Sequence, residues 1–268
     1  MNRLVVLMFH ALYEGERELA AIDPSDRPYA VSVDAFEEQL DILDRRGLTV
    51  ADPAALPGGL EVDDRVVLTF DDGHASCHRH ALPRLLERGL RAAFFVPSDF
   101  IDERPGFCTW SEVREMADQG MLIGSHGRTH RFLDDLTEEE AQAELRDSKA
   151  TIEEHVGRAV EQISFPGGRF RPGDVEAGKH VGYRVFHSSR VGVHRPRRLS
   201  EAAVLCRIAV RQGTTAREFE SLACASSAWL LRARALGGAK TAVRRALGNG
   251  LYHALYERLS RGSVEMQE

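Results

Sequence analysis

Three short polar clusters in this sequence each follow directly on an apolar run. Residues 71–73 (Asp-Asp-Gly) follow Val-Val-Leu-Thr-Phe, residues 125–130 (Ser-His-Gly-Arg-Thr-His) follow Met-Leu-Ile-Gly, and residues 166–168 (Pro-Gly-Gly) follow Ile-Ser-Phe. His10 takes the same kind of position after Leu-Val-Val-Leu-Met-Phe. In α/β barrels, catalytic groups collect where the strands end at their carboxyl side. We therefore expect these four positions to converge on one face.

The residue types at these positions suit metal-assisted hydrolysis. His126 and His130 are four residues apart, so one helical turn or a tight loop lets both imidazoles face one ion. One aspartate of the pair at 71–72 completes a three-ligand site that leaves positions open for water and substrate. The other aspartate can take a proton from the water, and a histidine suits protonation of the leaving amine in amide hydrolysis. The sequence thus predicts a divalent-metal hydrolase.

The elements that must position these residues alternate between strand and helix. The predicted strands cover residues 4–9, 66–70, 92–96, 121–124, 163–165, 183–186 and 205–210, and the predicted helices cover about 33–46, 111–119 and 137–155, with another around 82–86. Ser32 is the predicted N-cap of the first helix, and Thr137 opens a capping box with Glu140. Repeated β-then-α units imply a mostly parallel sheet, and this many units indicate a barrel.

Length and composition fit a single α/β domain with a short appendage. The chain has 268 residues, 43% hydrophobic and 28% charged, which is typical of a soluble globular protein. A net charge of −6 argues against a nucleic-acid partner. The four cysteines are scattered, which favours inert thiols over disulfides or a thiolate zinc site. The N-terminus lacks the features of a signal peptide, so we expect a cytoplasmic protein.

The composition changes near residue 220, which divides the chain into residues 1–220 and 221–268. The second segment carries seven Lys and Arg against three Glu, with leucines spread among them in a helical pattern. It predicts a basic amphipathic helical appendage. Three roles remain open for it: packing on the barrel, binding a partner, or peripheral contact with the inner membrane face through Trp229 and the leucines.

The motifs resemble those of the polysaccharide deacetylases of carbohydrate esterase family 4. The strings that carry this resemblance are Thr-Phe-Asp-Asp-Gly at 69–73, Ser-His-Gly-Arg-Thr-His at 125–130 and Phe-Pro-Gly-Gly at 165–168, within roughly residues 1–210. The resemblance implies a distorted (β/α) barrel of seven or eight strands. It also implies removal of N-acetyl groups from an N-acetylated sugar or glycan.

The resemblance assigns roles to single residues. Asp71 matches the family's general base, and Asp72, His126 and His130 match its metal ligands. Zinc is the metal typical of the family, although two histidines and a carboxylate also accept cobalt, nickel or iron. The acid histidine that the family usually places late in the chain is missing. Leu-Met-Phe-His at 7–10 resembles the circularly permuted poly-N-acetylglucosamine deacetylases, which implies that His10 is the general acid.

Substrate contacts are predicted at the third motif and near the end of the barrel. Pro166, Gly167 and Gly168 match the family's groove wall, with a plain turn as the alternative. The arginine that often precedes this motif is absent, since Ile-Ser stands there. Arg207 is an inward-pointing candidate that could contact substrate, pair with Asp71 or cap the sheet.

Other polar residues are expected to be solvated. His74, His78 and His80 are predicted at the surface, and the pair Asp134-Asp135 is predicted in a solvated loop before the Thr137 capping box. Two other functions remain open: hydrolysis of other C–N bonds such as ureides or imides at the same site, and a carbohydrate-binding barrel without catalysis. The complete set of site residues argues against the second.

Overall fold

The computed structural model describes residues 3–58, 65–194 and 204–226, together with Trp229 and Leu231. By its internal contacts the chain divides after Ser226. Most of the segment 221–268 lies outside the described residues. Its helical form and its membrane or partner contacts therefore stay predictions. In the part of the chain that is described, no helix has both the length and the apolar character needed to cross a membrane.

Eleven strands and seven α-helices make up the described part of the chain. The strands are β1 (Leu4–Phe9), β2 (Leu12–Tyr13), β3 (Val31–Ser32), β4 (Thr49–Val50), β5 (Arg65–Phe70), β6 (Ala93–Val96), β7 (Leu122–Ser125), β8 (Gln162–Ser164), β9 (Val185–His187), β10 (Val204–Leu205) and β11 (Ile208–Ala209). The helices are α1 (Gly15–Ala21), α2 (Val33–Arg45), α3 (Leu82–Glu87), α4 (Trp110–Asp118), α5 (Glu138–Val156), α6 (Pro172–Val181) and α7 (Ala216–Ala223).

Nine of these strands form one parallel sheet. The order is β10-β9-β8-β7-β6-β5-β1-β11, with β4 paired to the start of β5, while β2 and β3 form a separate pair. Helices α2 to α6 connect successive strands, as parallel pairing requires. The predicted α/β fold with a parallel sheet is thereby confirmed. Because all strands run the same way, their carboxyl ends share one edge, where the polar clusters follow.

The seam of the sheet, formed by Cys206 and Arg207 between β10 and β11, differs from the prediction. The single strand predicted over residues 205–210 is wrong, because β10 and β11 are separated by Cys206 and Arg207. Strand β10 pairs with β9 at one end of the sheet, and β11 pairs with β1 at the other end. The two linking residues therefore join the edges of the curled sheet, and an antiparallel bridge between Leu4 and His194 joins them a second time.

Aromatic packing fixes the strands that carry the site. Phe9 stacks on Phe70 with 5.2 Å between ring centroids, and Phe70 stacks on Phe94 at 4.8 Å. Phe36 of α2 meets Phe9 edge-on at 5.3 Å. Burial of each such side chain contributes about 1.5–3 kcal/mol. These rings bind β1, β5 and β6 to α2, directly beneath the strand ends from which the polar residues extend.

Candidate functional site

The Asp-Asp-Gly turn leaves strand β5 in an unusual conformation. The backbone N–H of Asp71 donates to the carbonyl of Phe9 at 2.9 Å, which continues the β5–β1 ladder by one residue. Asp72 then takes a φ of 73° and Gly73 a φ of 70°. A β-carbon at Gly73 would lie 3.1 Å from the side chain of Val96, so the turn favours glycine on two grounds. The turn aims the two adjacent carboxylates differently.

The two predicted metal histidines converge on one carboxylate oxygen. The Nε2 atom of His126 lies 3.2 Å from Asp72 Oδ1, and the Nε2 atom of His130 lies 3.1 Å from the same oxygen. His126 Nδ1 lies 2.7 Å from the carbonyl oxygen of Ser164, so this nitrogen carries the proton and donates it. That hydrogen bond orients the ring so that Nε2, its second nitrogen, faces Asp72.

The donor set fits a divalent cation. The ligand atoms of Asp72, His126 and His130 all lie within 4.8 Å of one another. Bonds of about 2.0–2.2 Å to a shared ion place ligand atoms about 3–3.5 Å apart, which agrees with the distances to Asp72. Burial would raise the pKa of Asp72, but hydrogen bonds from His126 and then His130 outweigh it and hold the pKa well below its usual value. Asp72 is therefore a carboxylate suited to a cation.

Asp71 is held by a buried guanidinium. Arg207 donates from Nη1 to Oδ1 and from Nη2 to Oδ2, both at 2.7 Å. The hydroxyl of Ser164 donates to Oδ2 at 3.0 Å and accepts from Arg207 Nη2 at 2.7 Å. Burial acts to raise the pKa of Asp71, but Arg207 and then His126 outweigh it and lower the pKa to about 2. The Asp71 carboxylate is thus ionised at neutral pH.

Arg207 enters the site from the seam between β10 and β11. Its side chain is 0% exposed, and its remaining donors bind the carbonyl of Ser188 at 3.0 Å and the hydroxyl of Thr69 at 3.2 Å. This burial conflicts with the expectation that Arg207 contacts substrate and favours the expected pairing with Asp71. The resemblance implies an arginine shortly before Pro166, but Ser164 stands there. The guanidinium that reaches Asp71 comes instead from Arg207, in a different part of the chain.

His10 lies beside the paired aspartates. The β1–β5 register pairs Phe9 with Phe70, so His10 and Asp71 are the next residues along neighbouring strands. The imidazole packs on Tyr29 with 4.8 Å between ring centroids, and its buried Nδ1 has no hydrogen-bond partner among the described residues. Burial lowers the pKa of His10, while the charges of Asp72 and Asp71 oppose that shift.

The Pro-Gly-Gly motif forms a tight turn after β8. Gly167 and Gly168 have φ values of 60° and 66°. A β-carbon at Gly168 would lie 2.3 Å from the backbone nitrogen of Ser189, and one at Gly167 would lie 2.6 Å from the ring of Phe132. Both glycines are therefore required by close packing. Pro166 is buried, and contact of these three residues with substrate stays a prediction.

One buried residue at the site was missed in the sequence. Glu144 of α5 is 4% exposed, and its carboxylate accepts hydrogen bonds from the loop that joins His126 to His130. Its signal in the sequence is a charged residue on the apolar face of α5, between Ala141 and Leu145. A helical glutamate is usually solvated, so the pattern alone gave no reason to select it.

The predicted surface histidines do not all lie at the surface. His80 is 6% exposed and pairs with Glu18 at 2.8 Å, so the surface prediction is wrong there. The short π-helical turn at Cys77–Ala81 turns His80 inward. His78 pairs with Glu115 at 2.9 Å, and His74 Nδ1 lies 2.7 Å from a serine hydroxyl. These contacts give the three histidines structural partners.

The pair Asp134-Asp135 is also engaged. Arg169, which is 6% exposed, lies 2.8 Å from Asp134 and forms an ion pair with Asp135. Its guanidinium also lies 4.5 Å from the ring centroid of Phe132. The prediction of a fully solvated loop is therefore wrong in part. These contacts tie the loop before α5 to the Pro-Gly-Gly turn.

Comparison with known sequences supports the motif interpretation. A family model described as polysaccharide deacetylase matches residues 61–186. The chain is 27% identical over 195 residues to "Putative polysaccharide deacetylase YxkH" of Bacillus subtilis (strain 168), which covers 71% of the chain and 66% of that protein. It is 37% identical over 92 residues to a chitooligosaccharide deacetylase of Rhizobium leguminosarum bv. trifolii, which covers 34% of the chain and 40% of that protein. The chain spans less than two thirds of either relative.

Solved structures share the fold. The structure of IcaB from Ammonifex degensii matches with a TM-score of 0.71 and 25% identity, over 84% of this chain and 98% of that one. The Streptococcus pyogenes deacetylase PplD, solved in complex with acetate, matches with a TM-score of 0.69 and 22% identity, over 81% and 96% of the two chains. The resemblance inferred from the motifs is thus confirmed, and residues 61–186 match the polysaccharide deacetylase family.

Proposed function

We propose that this chain is a metal-dependent hydrolase that removes N-acetyl groups from an N-acetylated saccharide. The observation that carries the proposal is the pair of adjacent carboxylates with different partners. Asp72 faces two imidazole nitrogens at 3.1 and 3.2 Å, whereas Asp71 faces a guanidinium at 2.7 Å. One carboxylate is therefore arranged to bind a cation and the other to act on a proton.

The metal site would be formed by Asp72, His126 and His130. A divalent cation bound there supplies Lewis-acid activation of a water molecule and of the amide carbonyl. Zinc is our first choice, and cobalt, nickel and iron also suit two imidazoles with one carboxylate. Asp72 presents its anionic oxygen to the two Nε2 atoms, and the hydrogen bond from His126 to the backbone orients that ring.

Asp71 is proposed as the general base. Its carboxylate is ionised and fixed by two hydrogen bonds from Arg207, so it needs no rearrangement to accept a proton from the attacking water. A carboxyl group with a low pKa is a weak base. It therefore depends on a water that has itself been made more acidic, which is consistent with an adjacent cation site. Backbone N–H groups near Asp72 and Gly73 are candidates to stabilise the oxyanion.

His10 is proposed as the general acid. Hydrolysis breaks the C–N bond, releases acetate and leaves an amine that must gain a proton as it departs. His10 comes directly after β1, and Asp71 comes directly after the neighbouring strand β5. The buried Nδ1 of His10 lacks a hydrogen-bond partner among the residues that the structure describes. A buried nitrogen without a partner is costly in a purely structural role, which supports a functional one.

The relatives support a saccharide substrate. The Rhizobium relative is named for deacetylation of chitooligosaccharides, and it shares 37% identity over the 92 residues that align. We therefore propose oligomers of N-acetylglucosamine as the first substrates to test. Their N-acetyl groups offer the amide bond that the arrangement of Asp71, Asp72 and His10 is suited to cleave.

The test is acetate release from chitooligosaccharides by the full chain. After treatment with a chelator and addition of Zn²⁺, the wild type should release acetate, whereas Asp71→Asn should not. Asp134→Asn is a matched control, since it also removes one carboxylate of an adjacent pair but lies before α5 in the pair with Arg169. Metal-dependent turnover of cyclic ureides or imides without acetate release from any N-acetylated saccharide would contradict the proposal.

A further inference from the structure

The loop between the two candidate metal histidines has little regular structure of its own. Strand β7 ends at Ser125, His126 follows directly, and the chain then turns through Gly127 with a φ of 77°. His130 itself has a φ of 63°, a conformation that a residue with a β-carbon rarely adopts. Something outside the loop must therefore hold His130 in place.

Glu144 of α5 holds the middle of this loop. One of its oxygens, Oε2, accepts from the backbone N–H of Arg128 at 2.7 Å and of Thr129 at 2.9 Å. The other oxygen, Oε1, accepts from the hydroxyl of Thr129 at 2.6 Å. The carboxylate is buried and forms no ion pair with a lysine or arginine within the described ranges. Loop donors are therefore its partners, and a buried carboxylate without partners is strongly destabilising.

Helix α5 holds the start of the same loop one turn later. The hydroxyl of Ser148 lies 2.8 Å from that of Ser125, which in turn accepts from the N–H of Gly127 at 3.1 Å. Glu144 and Ser148 are four residues apart and so lie on one face of the helix. A β-carbon at Gly127 would lie 3.1 Å from Glu144 Oε2, which shows how closely loop and helix approach.

We propose that Glu144 is a positioning residue for the candidate metal site and acts through His130. This inference rests on the metal site of the proposed function. The His126 side chain is 2% exposed and fixed by the backbone of β8, whereas the His130 side chain is 31% exposed. Without the acceptors of Glu144, two backbone N–H groups lose their partners and the loop relaxes. His130 is then the ligand that moves away from Asp72.

Affinity for Co²⁺ tests the inference without any measurement of catalysis. Co²⁺ is titrated into the chelator-treated full chain, and binding is followed by visible absorption. Glu144→Leu should weaken binding by roughly tenfold or more, the range found when outer partners of metal ligands are removed. Glu144→Gln should stay within about threefold of the wild type, because the amide oxygen accepts from both N–H groups and its NH₂ donates to the Thr129 hydroxyl.

Two comparisons separate positioning from general destabilisation. Glu154→Leu, at an exposed glutamate of the same helix, should leave Co²⁺ binding unchanged. In a His130→Ala background, Glu144→Leu should cause no further loss, since its effect passes through that ligand. Equal losses with and without His130, or unchanged affinity in Glu144→Leu, would overturn the inference.

A folding failure of Glu144→Leu would still leave a test. Thr129→Val removes one hydrogen bond to the carboxylate while leaving the helix untouched, and it should weaken Co²⁺ binding by roughly threefold or more. Unchanged binding there would overturn the inference. A wild type that binds Co²⁺ with this dependence on Glu144, yet releases no acetate, would contradict the proposed function and support the positioning role.

Discussion

Arg207 and Asp71 form a two-point ion pair at 2.7 Å across 136 positions of sequence. The pair is buried on both sides, so each partner compensates the other's charge. Its geometry matches the planar fork of a guanidinium to the two carboxylate oxygens, which lysine cannot reproduce. The orientation and ionisation of the proposed base therefore depend on a residue in the seam between β10 and β11.

Arg207→Met should impair both stability and catalysis. Removal of one partner of a buried ion pair costs about 3–5 kcal/mol, because the other charge stays buried without compensation. The pKa of Asp71 should rise, so the acidic limb of the kcat/KM profile should move to higher pH. Urea unfolding and pH–rate profiles measure the two effects. Arg184→Met, at an exposed pair with Glu161, is the control, and equal profiles for the two variants would contradict the assignment.

Removal of the metal should abolish activity and mutation of its ligands should weaken binding. We expect chelation to eliminate acetate release and Zn²⁺ to restore it. His126→Ala and His130→Ala should each lower Zn²⁺ affinity and reduce kcat by on the order of a hundredfold or more. Calorimetric titration and acetate assays provide the measurements. His180→Ala, an exposed histidine on α6, should change neither, and full activity after exhaustive chelation would refute metal dependence.

His10→Gln should slow catalysis without loss of metal affinity. A general acid typically contributes about a hundredfold or more when the leaving group is poor. An aryl acetate has a leaving group that needs no proton, so its hydrolysis should fall much less in the variant. The ratio of kcat for chitooligosaccharide to that for the aryl ester is the readout. Equal losses on both substrates would argue that His10 only supports the fold.

Acid should destabilise the protein partly through His187. Burial lowers the pKa of this side chain well below 6.5, so the folded state keeps it neutral while the unfolded chain binds a proton. Its contribution to stability is thus present above pH about 6.5 and is lost as the pH falls, by at most about 1.4 kcal/mol per pH unit. Urea unfolding at pH 7.5, 6 and 5 measures the slope. His187→Gln should flatten it, whereas the exposed His180→Gln should not.

Alanine should be tolerated very differently at two nearby glycines. At Gly168, a φ of 66° and a backbone nitrogen 2.3 Å from the added carbon predict a loss of more than about 1 kcal/mol. At Gly173, in the first turn of α6, nothing lies within 4 Å, so alanine should be neutral or stabilising. Urea unfolding of both variants gives the comparison. Equal free energies of unfolding would contradict the packing of the Pro-Gly-Gly turn.

Much of the fold could be predicted because its strands are covered on both faces. Strand β1 is buried at all six positions, so it reads as a continuous apolar run. Helix ends were equally clear: the hydroxyl of Ser32 accepts from Ala35, and Thr137 forms the expected capping box with Glu140. The site motifs followed from the same logic, since each one comes directly after such a strand.

The rest depended on contacts that hydrophobic pattern does not encode. Residues 205–210 look like one strand in the sequence. The apolar pattern does not reveal that the chain pairs with β9 before Cys206 and Arg207 and with β1 after them. Glu144 and His80 carry polar side chains, and their burial depends on partners elsewhere in the chain. The seam and these buried pairs therefore became visible only in three dimensions.

The seam has a consequence for how activity is acquired during synthesis. All proposed metal ligands precede residue 131, and the proposed base is at position 71, whereas Arg207 emerges many residues later and bridges β10 and β11. Chains fold from the N-terminus as they are made. A nascent or truncated chain that ends before Arg207 would contain the proposed base and metal ligands but lack the guanidinium that fixes the Asp71 carboxylate. Hydrolytic competence would thus begin only when the two edges of the sheet have been fastened together.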